Sequence, residues 1–297
     1  MTAQKPPTAP PIHNGLAELA GCYDHLILDL WGVLHDGVHA YAHAVDTLRR
    51  LRAAGKQILV LSNAPRGVAT IRQQMRRLGL TDDLYDLLMS SGQDVHEHLR
   101  ERPDAWYRHL GRRMYHIGPE RDHDIREGLD VELVHDVEVA EFLLVTGPPE
   151  PEKGLAPWEP FLTRAAQRGL PLICANPDVV VMRGEAEEMC AGALAQRYEE
   201  LGGAVRYHGK PTPGIYRTCF EMLGSPDPAS VMAVGDSLPT DIAGATAAGI
   251  TGVLVTGGIH AGDLGVRMGE APAPEALARL CDAKGIWPSA AIPAFRW

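Results

Sequence analysis

Four short segments carry side chains that together suit phosphate chemistry: Asp29 in DLWGV, Ser62 and Asn63 in LSNAP, Lys210 in GKP, and Asp236 with Asp241 in GDSLPTDI. Three carboxylates, an ammonium and a hydroxyl make a poor structural core, because unpaired buried charges are expensive. They make a good site for Mg²⁺ and a phosphate. The cation prefers one or two carboxylates plus phosphate oxygens and water, while Lys and Ser neutralise and hydrogen-bond the remaining phosphate oxygens.

In an open parallel sheet, ligands bind beyond the carboxyl ends of the strands, so the surrounding elements decide whether these residues can meet. Leu26-Ile27-Leu28, just before Asp29, reads as a strand buried on both faces and ended by a glycine turn. A helix is expected over 44–54, with Gly55 beyond its end, and a second buried strand over 57–61. Val68, Ile71, Met75 and Leu78 recur at helical spacing over 67–78, leaving Arg72, Arg76 and Arg77 on a solvated face. Near the end, 230–234 reads as a strand, 241–248 as a helix closed by Gly249, and 251–255 as a strand. Strand, turn, helix and strand in succession specify a parallel sheet.

Residues 88–204 lie between these halves and carry elements of their own, at 113–117, 142–146, 157–168, 172–175 and 187–201. That is too much chain for a loop. The expected architecture is α/β: a Rossmann-like parallel sheet core from 16–87 and 205–297, with an inserted α/β cap over 88–204. The hinges would lie near Met89–Gly92 and at Gly202-Gly203. Residues 1–15, with Pro6, Pro7, Pro10 and Pro11, are expected to form a flexible N-terminal arm. A terminal helix over 272–284 would lead to a tail, ending in Trp297, that covers a groove or a partner.

The chain has 28 Lys+Arg against 38 Asp+Glu, a net charge of −10, and therefore lacks the basic excess of a nucleic-acid binder. No apolar run approaches the roughly 18 residues of a membrane span, and the N-terminus lacks the layout of a signal peptide. A cytoplasmic protein with neither nucleic acid nor membrane as partner is expected. The five cysteines, Cys22, Cys174, Cys190, Cys219 and Cys281, are odd in number and form no C-x-x-C, so they read as buried free thiols. Gly257-Gly258 lacks the dinucleotide fingerprint and reads as loop. His116, His123 and His135 are too irregularly spaced for a metal site, and Asn176-Pro177-Asp178 is by itself a turn signal.

Taken in order, the four motifs resemble those of the haloacid dehalogenase superfamily, over about Tyr23 to Gly258. The long insertion, with Asn176-Pro177-Asp178 inside it, is similar to that of subfamily IIA, the large α/β cap phosphatases that act on nucleotides, sugar phosphates or pyridoxal phosphate. The resemblance implies a Mg²⁺-dependent phosphohydrolase of a small phosphorylated metabolite. Asp29 would attack phosphorus to form an aspartyl-phosphate. Ser62 and the Asn63 backbone would bind phosphoryl oxygens, and Lys210 would balance charge on Asp29 and the phosphate. Asp236 would hold Mg²⁺, with Asp241 at or behind it and the Trp31 carbonyl as a further ligand. Asn176 and Asp178 would belong to a cap loop that closes on the site, and a homodimer would accord with related proteins.

The sequence departs from the family pattern at Trp31, where such phosphatases carry a second Asp as general acid and base. An indole cannot shuttle a proton at neutral pH, and a positioned acid–base group contributes roughly 10² to 10⁴ in rate. Another group could supply the proton, with His35 and Asp36 just beyond and His116 in the cap as candidates. Alternatively the leaving group needs no acid, as in an acyl phosphate, or catalysis is lost and the fold binds a metabolite. A metal-independent dehalogenase also carries a non-acidic residue there, but has no need of the Asp236/Asp241 pair. The bland reading of Trp31 is a space-filling ring.

Overall fold

The computed structural model describes residues 9–150, 154–183 and 186–297. One sheet contains β1 (His25–Leu28), β2 (Gln57–Ser62), β3 (Leu87–Ser90), β11 (Val231–Gly235), β12 (Thr251–Val255) and β13 (Ala290–Ile292), in the order β13-β12-β11-β1-β2-β3. β1 pairs in parallel with β11 on one side and β2 on the other, with Leu28 opposite both Val234 and Val60. A second sheet runs β10-β7-β6-β4-β5, from β4 (Arg113–Ile117), β5 (Glu132–Val134), β6 (Phe142–Val145), β7 (Leu172–Cys174) and β10 (Val205–Tyr207). β8 (Val180–Arg183) and β9 (Ala186–Met189) pair antiparallel by themselves. The helices are α1 (Ala42–Ala53), α2 (Val68–Arg77), α3 (Ser91–Glu101), α4 (Ala105–His109), α5 (Glu159–Gln167), α6 (Ala191–Glu200), α7 (Pro213–Met222), α8 (Ala243–Ala247), α9 (Ala261–Leu264) and α10 (Pro274–Lys284). The expected α/β class and Rossmann-like parallel sheet are therefore present.

The chain forms two compact units, one of residues up to 61 with 78–87 and 216–297, the other of 62–77 and 88–215. In the first, the strands at the sheet centre are almost wholly apolar because both faces are covered, as β11 and β1 beyond His25 show. Leu238, Ile242, Leu254, Leu277, Cys281 and Ala291 form one of its clusters. In the second unit the alternation of a strand sorts residues between two cores. Leu143, Val145, Leu172 and Cys174 fill one, and Phe142, Leu144 and Ile173 the other.

Several local expectations are corrected. Gly202-Gly203 is no crossing between units: it turns α6 into β10, which pairs with β7 in the second sheet although its residues were expected in the core. The segment 187–201 is not one element, since Glu187–Met189 belong to β9 and the helix begins at Ala191. Residues 1–8 of the expected arm lie outside the described residues, but the rest is not loose. Ala291 donates its N–H to Pro11 O, His13 N–H donates to Ala291 O, and Leu16 N–H donates to Arg296 O. An edge strand leaves unpaired backbone groups, and here the N-terminal segment satisfies them. The C-terminal tail likewise completes its own sheet as β13 and buries Phe295 fully. Cys22 is exposed, while the other four cysteines are buried and free as expected. Among the described residues no helix is long and apolar enough to cross a membrane.

Replacing Phe295 by Ala should destabilise the protein by about 3–5 kcal/mol, because a fully buried ring leaves a cavity that its surroundings fill only in part. Urea unfolding of the two proteins checks this, and a difference below about 1 kcal/mol would show that the tail is not part of the core.

Candidate active site

Asp29 is the first residue after β1, and its backbone N–H donates to Val234 O, which ties it to the end of β11. Asp236 is the first residue after β11. Asp241 comes from a π-helical turn, Leu238–Ile242, in which Ser237 O accepts from both Asp241 N–H and Ile242 N–H. The expected helix over 241–248 is thus a π turn followed by a short α8. This turn brings Asp241 back so that Ser237 N–H donates to its Oδ2 at 3.1 Å. Each of Asp29, Asp236 and Asp241 is buried, and one oxygen from each lies within 4.8 Å of the others. Three carboxylates at that separation repel strongly in a low-dielectric site, and hard oxygen donors of this kind can hold a divalent cation.

The backbone around Asp236 is shaped for it. Gly32 has φ +71°, and a Cβ there would lie 1.9 Å from Asp236 Oδ2; one on Gly258 would lie 2.2 Å from the same oxygen. Ile259 N–H donates to that oxygen at 2.8 Å. Gly257-Gly258 was read from the sequence as loop. The contribution of Gly258 and Ile259 is a close backbone approach and one donor, and the signal for it was a glycine pair one residue beyond an apolar strand.

Ser62, Asn63, Lys210, Asn176 and Asp178 belong to the second unit. Ser62 closes β2 and accepts from Ala64 N–H through its Oγ at 3.2 Å. Asn63 holds Lys210 by its backbone: Oδ1 accepts from Lys210 N–H at 2.8 Å and Nδ2 donates to Lys210 O at 3.2 Å. The same Nδ2 donates to Asp178 Oδ1 at 2.9 Å. Asn176 Oδ1 in turn accepts from Asp178 N–H at 3.0 Å, so the triplet is both the turn its composition suggests and a contact of the Asn63–Lys210 pair. The expectation for Asn63 concerned its backbone; its side-chain amide is what the Lys210 loop rests on.

Trp31, His35 and Asp36 form a third group, in the turn after Asp29. The Trp31 and His35 rings meet edge to face with centroids 5.1 Å apart. His35 is fully buried, its Nδ1 accepts from Gly37 N–H at 2.8 Å, and burial pushes its pKa down to about 4. It is neutral at physiological pH. Burial disfavours the charge on Asp36, but hydrogen bonds from His39 and Val38 N–H outweigh it and hold the carboxyl below its usual range. His116 is also neutral, with burial lowering its pKa to about 4 and Nε2 3.0 Å from Thr146 Oγ1. His35 and Asp36 thus accept hydrogen bonds within their own turn, and the His116 ring meets Thr146 in the second unit.

Comparison with known proteins bears on the family. Residues 26–132 match the profile of haloacid dehalogenase-like hydrolases, and residues 207–283 match a related hydrolase-like profile. The ribonucleotide monophosphatase NagD of Escherichia coli (strain K12) is 26% identical over 253 residues, covering 80% of this chain and 90% of that one. A dihydroxyacetone phosphatase of Corynebacterium glutamicum (strain R) is 34% identical over a shorter stretch, 31% of this chain and 33% of that one. Among solved structures, a haloacid dehalogenase-like hydrolase from Brucella suis 1330 superposes with a TM-score of 0.79 at 35% identity, over 95% of this chain and 99% of that one. On the strength of this nearly full-length likeness, the chain belongs to the haloacid dehalogenase-like hydrolases, in the subfamily with the large α/β cap.

Proposed function

We propose that the chain is a Mg²⁺-dependent phosphohydrolase of small phosphorylated metabolites. The observation that carries this reading is the meeting of Asp29 and Asp236, each directly after one of two adjacent strands, with Asp241 from the following π turn, an arrangement of charge that favours a bound cation. The acidic set also speaks against a metal-independent dehalogenase. The named activities of NagD and the dihydroxyacetone phosphatase support a phosphate ester of a nucleotide or a small sugar as the substrate class. Four buried free thiols accord with a reducing, cytoplasmic compartment.

Asp29, Asp236, Asp241 and the Trp31 carbonyl are the proposed ligands. Mg²⁺ held there would neutralise charge on the phosphoryl oxygens and polarise phosphorus. The chain does the rest. An Asp29 carboxylate oxygen forms a bond to phosphorus as the bond from phosphorus to the leaving oxygen breaks; water then cleaves the aspartyl-phosphate, freeing Asp29 and inorganic phosphate. Accepting from Ala64 N–H leaves the hydroxyl proton of Ser62 for a phosphoryl oxygen. Lys210, its backbone fixed by Asn63, supplies the positive charge that the transferring group requires.

The proton for the leaving group is the weak point, since Trp31 stands where an acid would serve and His35, Asp36 and His116 are not poised to donate. The reading that follows is a preference for leaving groups of low basicity, such as acyl or aryl phosphates.

Asp29→Asn should lower phosphate release from 4-nitrophenyl phosphate by about 10³-fold or more, at unchanged melting temperature. A variant as active as wild type would remove the nucleophile. Across aryl phosphates of increasing leaving-group pKa, kcat/KM of the wild type should fall steeply, and Trp31→Asp should flatten that slope and raise the rate for poor leaving groups by about 10²-fold. If the wild-type slope is already flat, a proton donor other than those considered is at work.

His35 gives a pH dependence of stability. Its folded pKa, about 4, is depressed from 6.5, so its contribution is complete above the unfolded value and is lost as pH falls toward the folded one. Relative to His35→Phe, the wild type should lose about 3 kcal/mol between neutral pH and pH 4, measured by urea unfolding across that range. Parallel curves would show that His35 is not buried neutral.

A further inference from the structure

A second cluster of titratable groups lies in the second unit and takes no part in the reaction just described. Asp94 and His98 are one helical turn apart on α3, and therefore on one face of it. His208 is the first residue after β10. Ligand atoms of Asp94, His98 and His208 all lie within 4.8 Å of one another. His208 Nδ1 is 2.5 Å from Asp94 Oδ2, and His98 Nδ1 is 3.3 Å from Asp94 Oδ1 and 2.7 Å from Asp94 O. The Tyr107 hydroxyl, from α4, contacts His208 Nε2.

From this geometry we infer that Asp94, His98 and His208 form a binding site for a borderline transition metal such as Zn²⁺, separate from the three-carboxylate cluster. Asp94 and His208 are buried almost completely, and both ion pairs of Asp94 are to histidines. The two imidazoles cannot comfortably both be charged there: burial works against protonation of His208, and His98 beside it adds repulsion. One divalent cation satisfies all three donors at once. Two imidazole nitrogens and one carboxylate are the donor set of zinc and cobalt sites, whereas Mg²⁺ takes oxygen throughout. The two clusters of this chain are thus sorted by ligand softness.

The surroundings are those a metal-bound histidine needs. Coordination at His208 Nδ1 moves the ring proton to Nε2, where the Tyr107 oxygen accepts it and fixes the ring. His98 Nδ1 is deprotonated on binding, and the proton passes to solvent. The side chain of His98 is about one-third exposed, 34%, which leaves a route for the ion and a position for water as fourth ligand.

Co²⁺ is the probe, added to metal-free protein in the presence of excess Mg²⁺. Wild type should bind one equivalent with the intense visible absorption of four-coordinate cobalt, and Zn²⁺ should displace it. His98→Ala changes a partly exposed helical residue and should weaken binding by about 100-fold or more, with Tyr107→Phe weakening it by about 10-fold. Asp236→Asn should leave the absorption unchanged, which separates this site from the carboxylate cluster. Zn²⁺ should also raise the melting temperature of wild type by about 5 °C at saturating concentration, and that of His98→Ala by far less. Absorption or a thermal shift equal in wild type and His98→Ala, or absent from both, would overturn the inference and leave a carboxylate bridging two imidazoles through protons alone.

Discussion

Like charges held together in a dry place set the terms for this protein. Asp29 and Asp236 sit directly after the central strands β1 and β11, and the π turn brings Asp241 beside them, where burial leaves the repulsion among them weakly screened. Backbone donors and close-packed glycines oppose that repulsion. Ile259 N–H and Ser237 N–H are two of those donors, and the absence of side chains at Gly32 and Gly258 lets the backbone close on Asp236. The sheet topology follows from the same need, since adjacent parallel strands are what bring residues from distant parts of the chain to one rim.

The second unit answers a different problem, the placement of a cation. Lys210 is buried, and its loop is fastened by backbone hydrogen bonds to the Asn63 amide, which also reaches Asp178. The side chain of one residue thus joins three separate stretches of chain. An amide suits this task because it donates and accepts at once, which neither a carboxylate nor an ammonium can do.

What could be read from the sequence was whatever depends on neighbours in the chain. Asp29 and Asp236 stand directly after apolar runs, and a strand that ends in a carboxylate is a local pattern. The parallel sheet, the helix of α2 and the turn at Asn176-Pro177-Asp178 were legible for the same reason. The rest depends on residues far apart in the chain. Gly258 is required because Asp236, 22 positions earlier, needs the room. β10 has half-buried residues and only three of them, so nothing local distinguishes it from loop. The neutrality of His35 follows from its burial and from Gly37 N–H on its ring, and neither is a property of the tripeptide around it. The histidines that face Asp94 come from elements more than a hundred residues apart, which spacing rules within one helix cannot join.

The fastening of β13 has a bearing on how the two ends of the chain behave. Residues near Pro11 and His13 pair with Ala291, Leu16 N–H reaches Arg296 O, and the Arg296 guanidinium donates back to Asn14 O. β13 is also paired with β12, so release of the N-terminal segment uncovers the outer edge of β13 without removing it from the sheet. The amide protons of His13, Leu16 and Ala291, which bridge the two segments, would therefore exchange with solvent on a common timescale while β13 stays paired to β12.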